Sequence, residues 1–366
     1  MQLIVTTNWD DKFLDGLDPA VVSWVSGRLP RDEIGGSSIF PGNMAKRINR
    51  KGVEKYIKLI HKRGFKFNYL LDGHCTSNKE YSYRGANRML ENIRWISDSG
   101  ADGITVVLPH LVEIIKRDYP RMKVGFGGSR VVWEITRIKY FDGLGVDWII
   151  LHSASHRSFR ALRAMRSAVK CELWLVANTG CLLFCNFGYD HDNYLAHASN
   201  YTAAFSYTDY FHLNCNKIIL QKPEELIKCP WIRPEDLCVY ENLGYDKFFI
   251  LPNSSKTSEL LKIANAYKTR KYDGNLLDIL SAMGKKMFQS RNGWQEEGVP
   301  VLDNSKLGSA IKFFINKKEE CFRMLCSECG YCKEVAKKAV IFPQPRRIRR
   351  LINKYQRDIE RIEDGK

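Results

Sequence analysis

The chain has 366 residues, of which 44% are hydrophobic, 12% aromatic and 27% charged, enough for one large or two ordinary globular domains. That composition excludes a collagen-like, coiled-coil or wholly disordered chain. Two figures stand out: 57 Lys and Arg against 41 Asp and Glu, for a formal net charge of +16, and eleven cysteines.

In chain order, short β-rich runs recur at 3–6, 66–71, 103–107, 123–126, 147–151, 172–177, 212–220 and 247–251. Amphipathic stretches lie between them, such as 53–61, 86–99 and 159–169, with apolar residues at three- and four-residue spacing. Near-continuously apolar strands such as Trp148-Ile-Ile-Leu are expected to be buried on both faces of a parallel sheet. Eight βα units predict an α/β fold, a TIM-like (β/α)8 barrel with flanking helices over residues 1–290. Pro234 followed by Glu235 and Asp236 reads as a helix start, and Gly100, Gly143, Gly145 and Gly244 as helix ends. Helical patterns at 258–271 and 275–289 follow the last run. A Gly- and Pro-containing linker at 292–300 then opens a cysteine-rich segment, 291–340, and a basic helical tail, 341–366. The N-terminus has no basic and apolar leader, and no apolar run reaches the ~18 residues of a membrane span, so a cytoplasmic protein with no membrane partner is expected. In a reducing compartment, clustered cysteines favour metal or cluster ligation over disulfides.

A barrel of this kind carries its site at the C-terminal ends of its strands. Polar residues gather there: Asn8 and Asp10 after the first run, then Asp72, His74 and Cys75, His110, His152 and His156, Asn178 and Cys181, with Cys215 inside the seventh run. Cys181 and Cys185 are four residues apart, and with Cys75 and Cys215 could bring four sulfurs to one mouth. Such a set suits a 4Fe-4S cluster or tetrahedral zinc, and equally suits buried apolar thiols. Cys229 is a fifth candidate, while Cys171 and Cys238 read as core or helix-surface residues. A second set, Cys321, Cys326, Cys329 and Cys332, repeats cysteine at intervals that packing alone does not require, as in ferredoxin-like or zinc-knuckle sites. His74, His152 and His191 are the candidate proton carriers, histidine being the side-chain type whose ordinary range lies near neutrality. Arg157, Arg160, Arg163 and Arg166 recur at every third position, the pattern of a solvated helix face. Arg346, Arg347, Arg349 and Arg350 form the strongest basic patch, a nucleic-acid or acidic-partner surface or a solubilising helix. Gly125-Phe-Gly-Gly-Ser is a weak phosphate-cradle signal.

Together the motifs resemble the collagenase-like peptidase U32 family, in particular its iron-sulfur-bearing relatives, over roughly residues 1–335. The resemblance is carried by Tyr69-Leu-Leu-Asp-Gly-His-Cys75-Thr-Ser-Asn78-Lys-Glu80, by Gly180-Cys181-x3-Cys185 with His191, by Cys215, and by Trp231-Ile-Arg-Pro-Glu-Asp-Leu and Tyr272-Asp-Gly-Asn-Leu-Leu-Asp. It implies a TIM-like barrel with one 4Fe-4S cluster held by Cys75, Cys181, Cys185 and Cys215, with His191 beside it. For the C-terminal cysteines it is the spacing, and not the resemblance, that leaves a second cluster or zinc as the expectation. Relatives are linked to oxygen-independent hydroxylation of ubiquinone precursors or of RNA pyrimidines, and others are described as peptidases. The expected function is therefore an iron-sulfur enzyme, a hydroxylase or oxidoreductase, acting on a small molecule or peptide with an electron donor or pathway partner protein. The alternatives are an RNA-modifying enzyme, a peptidase and a non-catalytic iron-sulfur scaffold. One departure bears on the substrate: where the family has Lys-x-x-Gly-Arg after the last strand, this chain has Phe249-Ile-Leu-Pro252-Asn253. That loses two cations, and Arg157 is the expected replacement.

Overall fold

The computed structural model describes residues 1–30, 32–34, 48–127, 134–198, 210–253, 255–281, 300–317, 321 and 326–364. Eight strands pair in parallel in chain order: β1 (Gln2–Thr6), β2 (Val22–Gly27), β3 (Lys66–Leu71), β4 (Gly103–Val106), β5 (Lys123–Phe126), β6 (Trp148–Leu151), β7 (Glu172–Val176) and β8 (Lys247–Ile250). The eighth hydrogen-bonds back to the first and closes the barrel. The connections contain α1 (Asp11–Asp15), α2 (Arg50–Lys62), α3 (Tyr83–Asp98), α4 (Pro109–Asp118), α5 (Ile135–Gly143) and α6 (Phe159–Ala168). The β7–β8 crossover is longer and holds α7 (Gly188–Ala198), α8 (Tyr210–Gln221), α9 (Glu224–Lys228) and α10 (Leu237–Glu241), and α11 (Thr257–Thr269) follows β8. These helices form because their apolar residues fall on one stripe, as Val53, Ile57 and Ile60 do on α2, and because Asn49 and Ser82 cap α2 and α3 at their N-termini.

The (β/α)8 architecture is the expected one, but two elements exchange roles. The run 212–220, expected as the seventh strand, is helical, and Val22–Gly27 supplies a barrel strand instead. On α8 the buried Leu213, Asn216, Ile219 and Leu220 recur at three- and four-residue spacing, a helical period that the local density of Ile and Leu disguises. On β2 the two serines and the terminal glycine weaken the apolar signal, yet Ser26 is fully buried inside the barrel. Cys215 therefore sits on a helix and not on a strand. The helix expected at 275–289 is a single 3-10 turn, Leu276–Asp278, in its described part. The linker 292–299 and Gly128 and Ser129 of the glycine-rich loop lie outside the described residues.

The barrel interior is packed with aromatic rings. Trp24, Trp148 and Trp174 form one cluster with Ile4, Leu70 and Phe249, separate from the core under the helices. The Trp148 and Trp174 rings are parallel with centroids 4.5 Å apart. Trp148 fits because its neighbours on β4 and β5 are glycines: a Cβ at Gly103 would stand 2.6 Å from the indole, and one at Gly125 would overlap its nitrogen. A chain of buried polar groups crosses the same interior, with Trp148 Nε1 donating to Thr105 Oγ1 (3.2 Å), Thr105 Oγ1 to Asn68 Oδ1 (3.0 Å) and Asn68 Nδ2 to Ser26 Oγ (3.1 Å).

The C-terminal part returns to the barrel wall through α12 (Ala310–Asn316), α13 (Cys326–Cys329), α14 (Tyr331–Ala339) and α15 (Pro345–Glu363), with a small antiparallel pair, β9 (Val301–Leu302) and β10 (Val340–Ile341). Arg233 of the Trp231–Leu237 motif makes a buried bidentate pair with Asp236 (2.8 and 2.9 Å) and also donates to Asn304 O. The basic tail is a docked helix: Ile348, Leu351, Tyr355 and Ile359 of α15 are buried, and α15 packs against α8. No described helix is long and apolar enough to cross a membrane.

Gly125→Ala is expected to destabilise the protein by at least ~1–3 kcal/mol, because the methyl must displace an indole that has no free volume to enter. Urea unfolding checks this, and a Gly125→Ala, Trp148→Phe double variant should recover part of the loss.

Candidate active site and cysteine centres

Pleat alternation sets the mouth of the barrel. Trp24 and Ser26 point inward on β2, as do Asn68 and Leu70 on β3, Ile150 on β6 and Val176 on β7. One pleat further along, the same faces carry Arg28, Asp72, His152 and Asn178. Asn178 is a structural strap: it donates to Leu251 O (2.8 Å) and Ile279 O (3.1 Å) and accepts from Leu251 N. His152 Nδ1 receives the Ala154 N–H and opens the turn that follows β6. Asn8 is similarly engaged, donating to Ser255 O and Thr257 Oγ1, both at 2.9 Å.

Arg28 is the mouth residue that sequence reasoning missed, because β2 itself was not read as a strand. Its side chain is 8% exposed; Nη2 reaches Pro30 O only at 3.5 Å, and Nη1 is buried with no hydrogen-bond partner. A buried guanidinium with an unused donor is costly in isolation and well matched to a carboxylate or phosphate oxygen.

His74 follows β3 on the segment that bears Cys75. Both of its ring nitrogens are buried without hydrogen-bond partners, and the nearest carboxylate, Asp192 Oδ2 on α7, is 4.0 Å away. Ser77 Oγ, two residues past Cys75, is 3.2 Å from His197 Nδ1 on the same helix. The Cys75 turn is built on left-handed backbone at Ser77 and Asn78, and the Cys181–Cys185 loop on a left-handed Phe184. His191 on α7 stacks near Phe211, with ring centroids 5.5 Å apart, and Phe187 approaches Tyr210 and Phe211 of α8, the helix of Cys215. The segments bearing Cys75, Cys181, Cys185 and Cys215 are thus joined through α7. Cys229 is drawn to the same place: its buried thiol donates to Gly180 O at 3.1 Å, and burial together with the nearby Cys181 holds it well above the ordinary thiol range.

Arg157 and His156 lie elsewhere than expected. Neither belongs to the solvated arginine row or to the mouth. Arg157 is 3% exposed, lies 4.5 Å from the Trp231 ring and 4.6 Å from the Phe314 ring, and donates to Cys229 O at 3.0 Å. It cannot replace cations lost from the end of β8. His156 is fully buried, with Nδ1 2.9 Å from Pro230 O, and desolvation lowers it to about 4.

The C-terminal cysteines stand around one cavity of about 330 Å3, whose lining includes Cys321, Cys326, Cys329 and Cys332. Burial pushes the Cys332 thiol up to about 11. None of the eleven cysteines forms a disulfide. Among the described residues, no three His, Cys, Asp or Glu side chains converge tightly enough to enclose a single metal ion.

No protein-family model matches the chain. Over 296 residues it is 28% identical to an uncharacterized protease of Methanocaldococcus jannaschii, a match covering 80% of this chain and 82% of that protein. Among solved structures, the U32 peptidase Mk0906 shares the fold with a TM-score of 0.54 at 20% identity, over 69% of this chain and 93% of the other.

The His156 shift has a sign that can be tested. Its folded-state value, about 4, lies below the ordinary 6.5, so the unfolded chain takes up the proton first as the pH falls. The stability it contributes is present above pH ~6.5 and is lost progressively toward pH ~4, by roughly 3 kcal/mol. Urea unfolding across that window should show a shallower pH dependence in His156→Gln than in wild type; parallel slopes would refute the assignment.

Proposed function

Motifs, archaeal relative and barrel together support membership of the U32 peptidase family, and on that premise we propose that this member is an iron-sulfur enzyme. Its reaction is an oxygen-independent hydroxylation, or a related redox modification, of an anionic small molecule or peptide at the barrel mouth. The observation that carries this reading is the meeting of the Cys75 and Cys181–Cys185 segments with α7, beside a histidine whose two ring nitrogens are both unused. The donor set fits: Cys75, Cys181, Cys185 and Cys215 are soft ligands in partly or fully buried positions, the type that selects iron-sulfur clusters. When bound, a cluster supplies electron transfer or Lewis acidity at the mouth.

The chain's own residues then have separable tasks. Arg28 holds an anionic group of the substrate through Nη1. His74 gives or takes a proton through Nδ1 or Nε2. The tryptophan floor closes the opposite end, so substrate and water enter at the cysteine-bearing end. A peptide stays within the substrate class because one relative is named a protease and the solved neighbour a peptidase, although the chain has no Gly-x-Ser-x-Gly or His-Glu-x-x-His motif. The exposed arginines of α15 support RNA as a further candidate substrate.

Anaerobically purified protein is expected to be brown, and Cys181→Ser with Cys185→Ser to lose iron while keeping a cooperative melt. Arg28→Gln should weaken binding of an anionic ligand by about 10-fold to 100-fold, the equivalent of one charge-assisted hydrogen bond. His74→Gln should lower turnover by about 100-fold or more with little change in that binding. Iron-free, colourless protein that is nonetheless folded and active would sink the reading.

A further inference from the structure

The four C-terminal cysteines are not used by the barrel mouth, yet their placement is not that of thiols buried for packing. Cys321 and Cys332 are half-buried at the edge of the main core, Cys329 is half-buried and Cys326 is exposed, so core packing does not account for the set of four. All four face one cavity of about 330 Å3. Four cations, Arg157, Lys228, Lys317 and Lys333, share its lining with one carboxylate, Glu224. Lys317 Nζ is 3.4 Å from Cys321 Sγ, Lys228 reaches the cavity while paired with Glu225 at 2.7 Å, and the Arg157 guanidinium lies against the Phe314 ring of the wall. Phe313, Phe314 and Tyr331 form an aromatic side of the wall, with Phe313 stacked on Tyr331 at 3.7 Å between centroids.

From this arrangement we infer a second metal centre, an iron-sulfur cluster ligated by Cys321, Cys326, Cys329 and Cys332, with Lys228, Lys317 and Arg157 offsetting its negative charge. Size and charge select that occupant. Zinc draws four sulfurs to about 2.3 Å from a single point, whereas among the described residues no three His, Cys, Asp or Glu side chains converge on one, and the cavity that the four thiols help to line has about 330 Å3 for a larger group. A thiolate-ligated cluster is anionic, and the cations stand where that charge would be. Leu183, between Cys181 and Cys185, belongs to the same lining, and Arg157 is bonded to Cys229 O. The second centre thus adjoins the loop proposed to hold the first, though it does not depend on that cluster.

The test is metal and acid-labile sulfide analysis of the full chain purified anaerobically, as wild type, as Cys326→Ser with Cys329→Ser, and as Cys181→Ser with Cys185→Ser. The Cys326, Cys329 variant should lose iron and sulfide in equal molar amounts, retain the complement that the Cys181, Cys185 variant loses, and still melt cooperatively. Loss of zinc without sulfide, or an undiminished iron content, overturns the inference. Iron that survives the Cys181, Cys185 changes but not the Cys326, Cys329 changes upholds this centre while removing the barrel cluster, so the two readings fail separately. Should the cysteine variant not fold, Lys317→Met leaves every thiol in place: one iron-sulfur signal should move to a more negative potential, since a nearby cation no longer stabilises the reduced state. Potentials identical to wild type for every signal would overturn the inference.

Discussion

A parallel barrel holds its shape only if its interior is filled, and here the filling is done by indoles. Trp148 lies parallel to Trp174 and reaches across to β4 and β5, where Gly103 and Gly125 leave the volume it occupies. Its ring nitrogen anchors the Thr105, Asn68 and Ser26 chain, so three neighbouring strands are fixed relative to one another by groups that have no water to compete with. With the floor closed in this way, the strand ends above it are the open face, and the polar residues placed there by the pleat are held on rigid elements.

The crossover between β7 and β8 carries a second constraint. Ile232 N donates to Ala177 O at the end of β7, Arg233 is bonded to Asp236 and Asn304, and Asn304 Nδ2 reaches Tyr272 O and Glu235 Oε1. One short motif therefore ties the barrel rim, the segment after β8 and the start of the C-terminal part into a single buried polar network. Arg157 adds to it from β6, between two aromatic faces. Each guanidinium is expensive to desolvate alone, and each has the planar contacts and acceptors that make burial tolerable. These arginines are part of the +16 excess, yet they act as internal fasteners and not as a surface for polyanions.

Much of the fold was legible because parallel strands buried on both faces leave continuous apolar runs, as at Trp148–Leu151, and because helix stripes and caps punctuate them. The two misplaced elements share a cause. Periodicity over fewer than a dozen residues does not separate a buried strand from a buried helix, and four of the six residues of Val22–Gly27 are Ser, Trp or Gly, of which Trp24 and Ser26 face the barrel interior and not the core under the helices. The site was less legible. His74 and the cysteines stand out by type, but Arg28 can be found only once β2 is known to end beside it. Arg157 looked like one member of an exposed row because its spacing from Arg160 is helical, while the backbone breaks at Ser158 and turns it inward. Sequence spacing records what is possible along one element, whereas these two arginines are placed by contacts between elements.

The proposed anionic substrate needs a cation at the mouth other than one at the end of β8. A substrate anion needs a donor that is both poorly hydrated and uncommitted, because a guanidinium already bonded in the protein gains little by exchanging partners. Arg157 donates to Cys229 O and lies between two rings, with its Nε unpartnered, and Arg233 is bonded to Asp236 and Asn304. Arg28 is bonded weakly at one nitrogen and not at all at another. The anion site proposed above therefore stands at the end of β2, which is separated from β8 by β1. His74 follows β3, the strand paired with β2, so the proposed anion site and the candidate proton carrier stand just past the ends of adjacent strands.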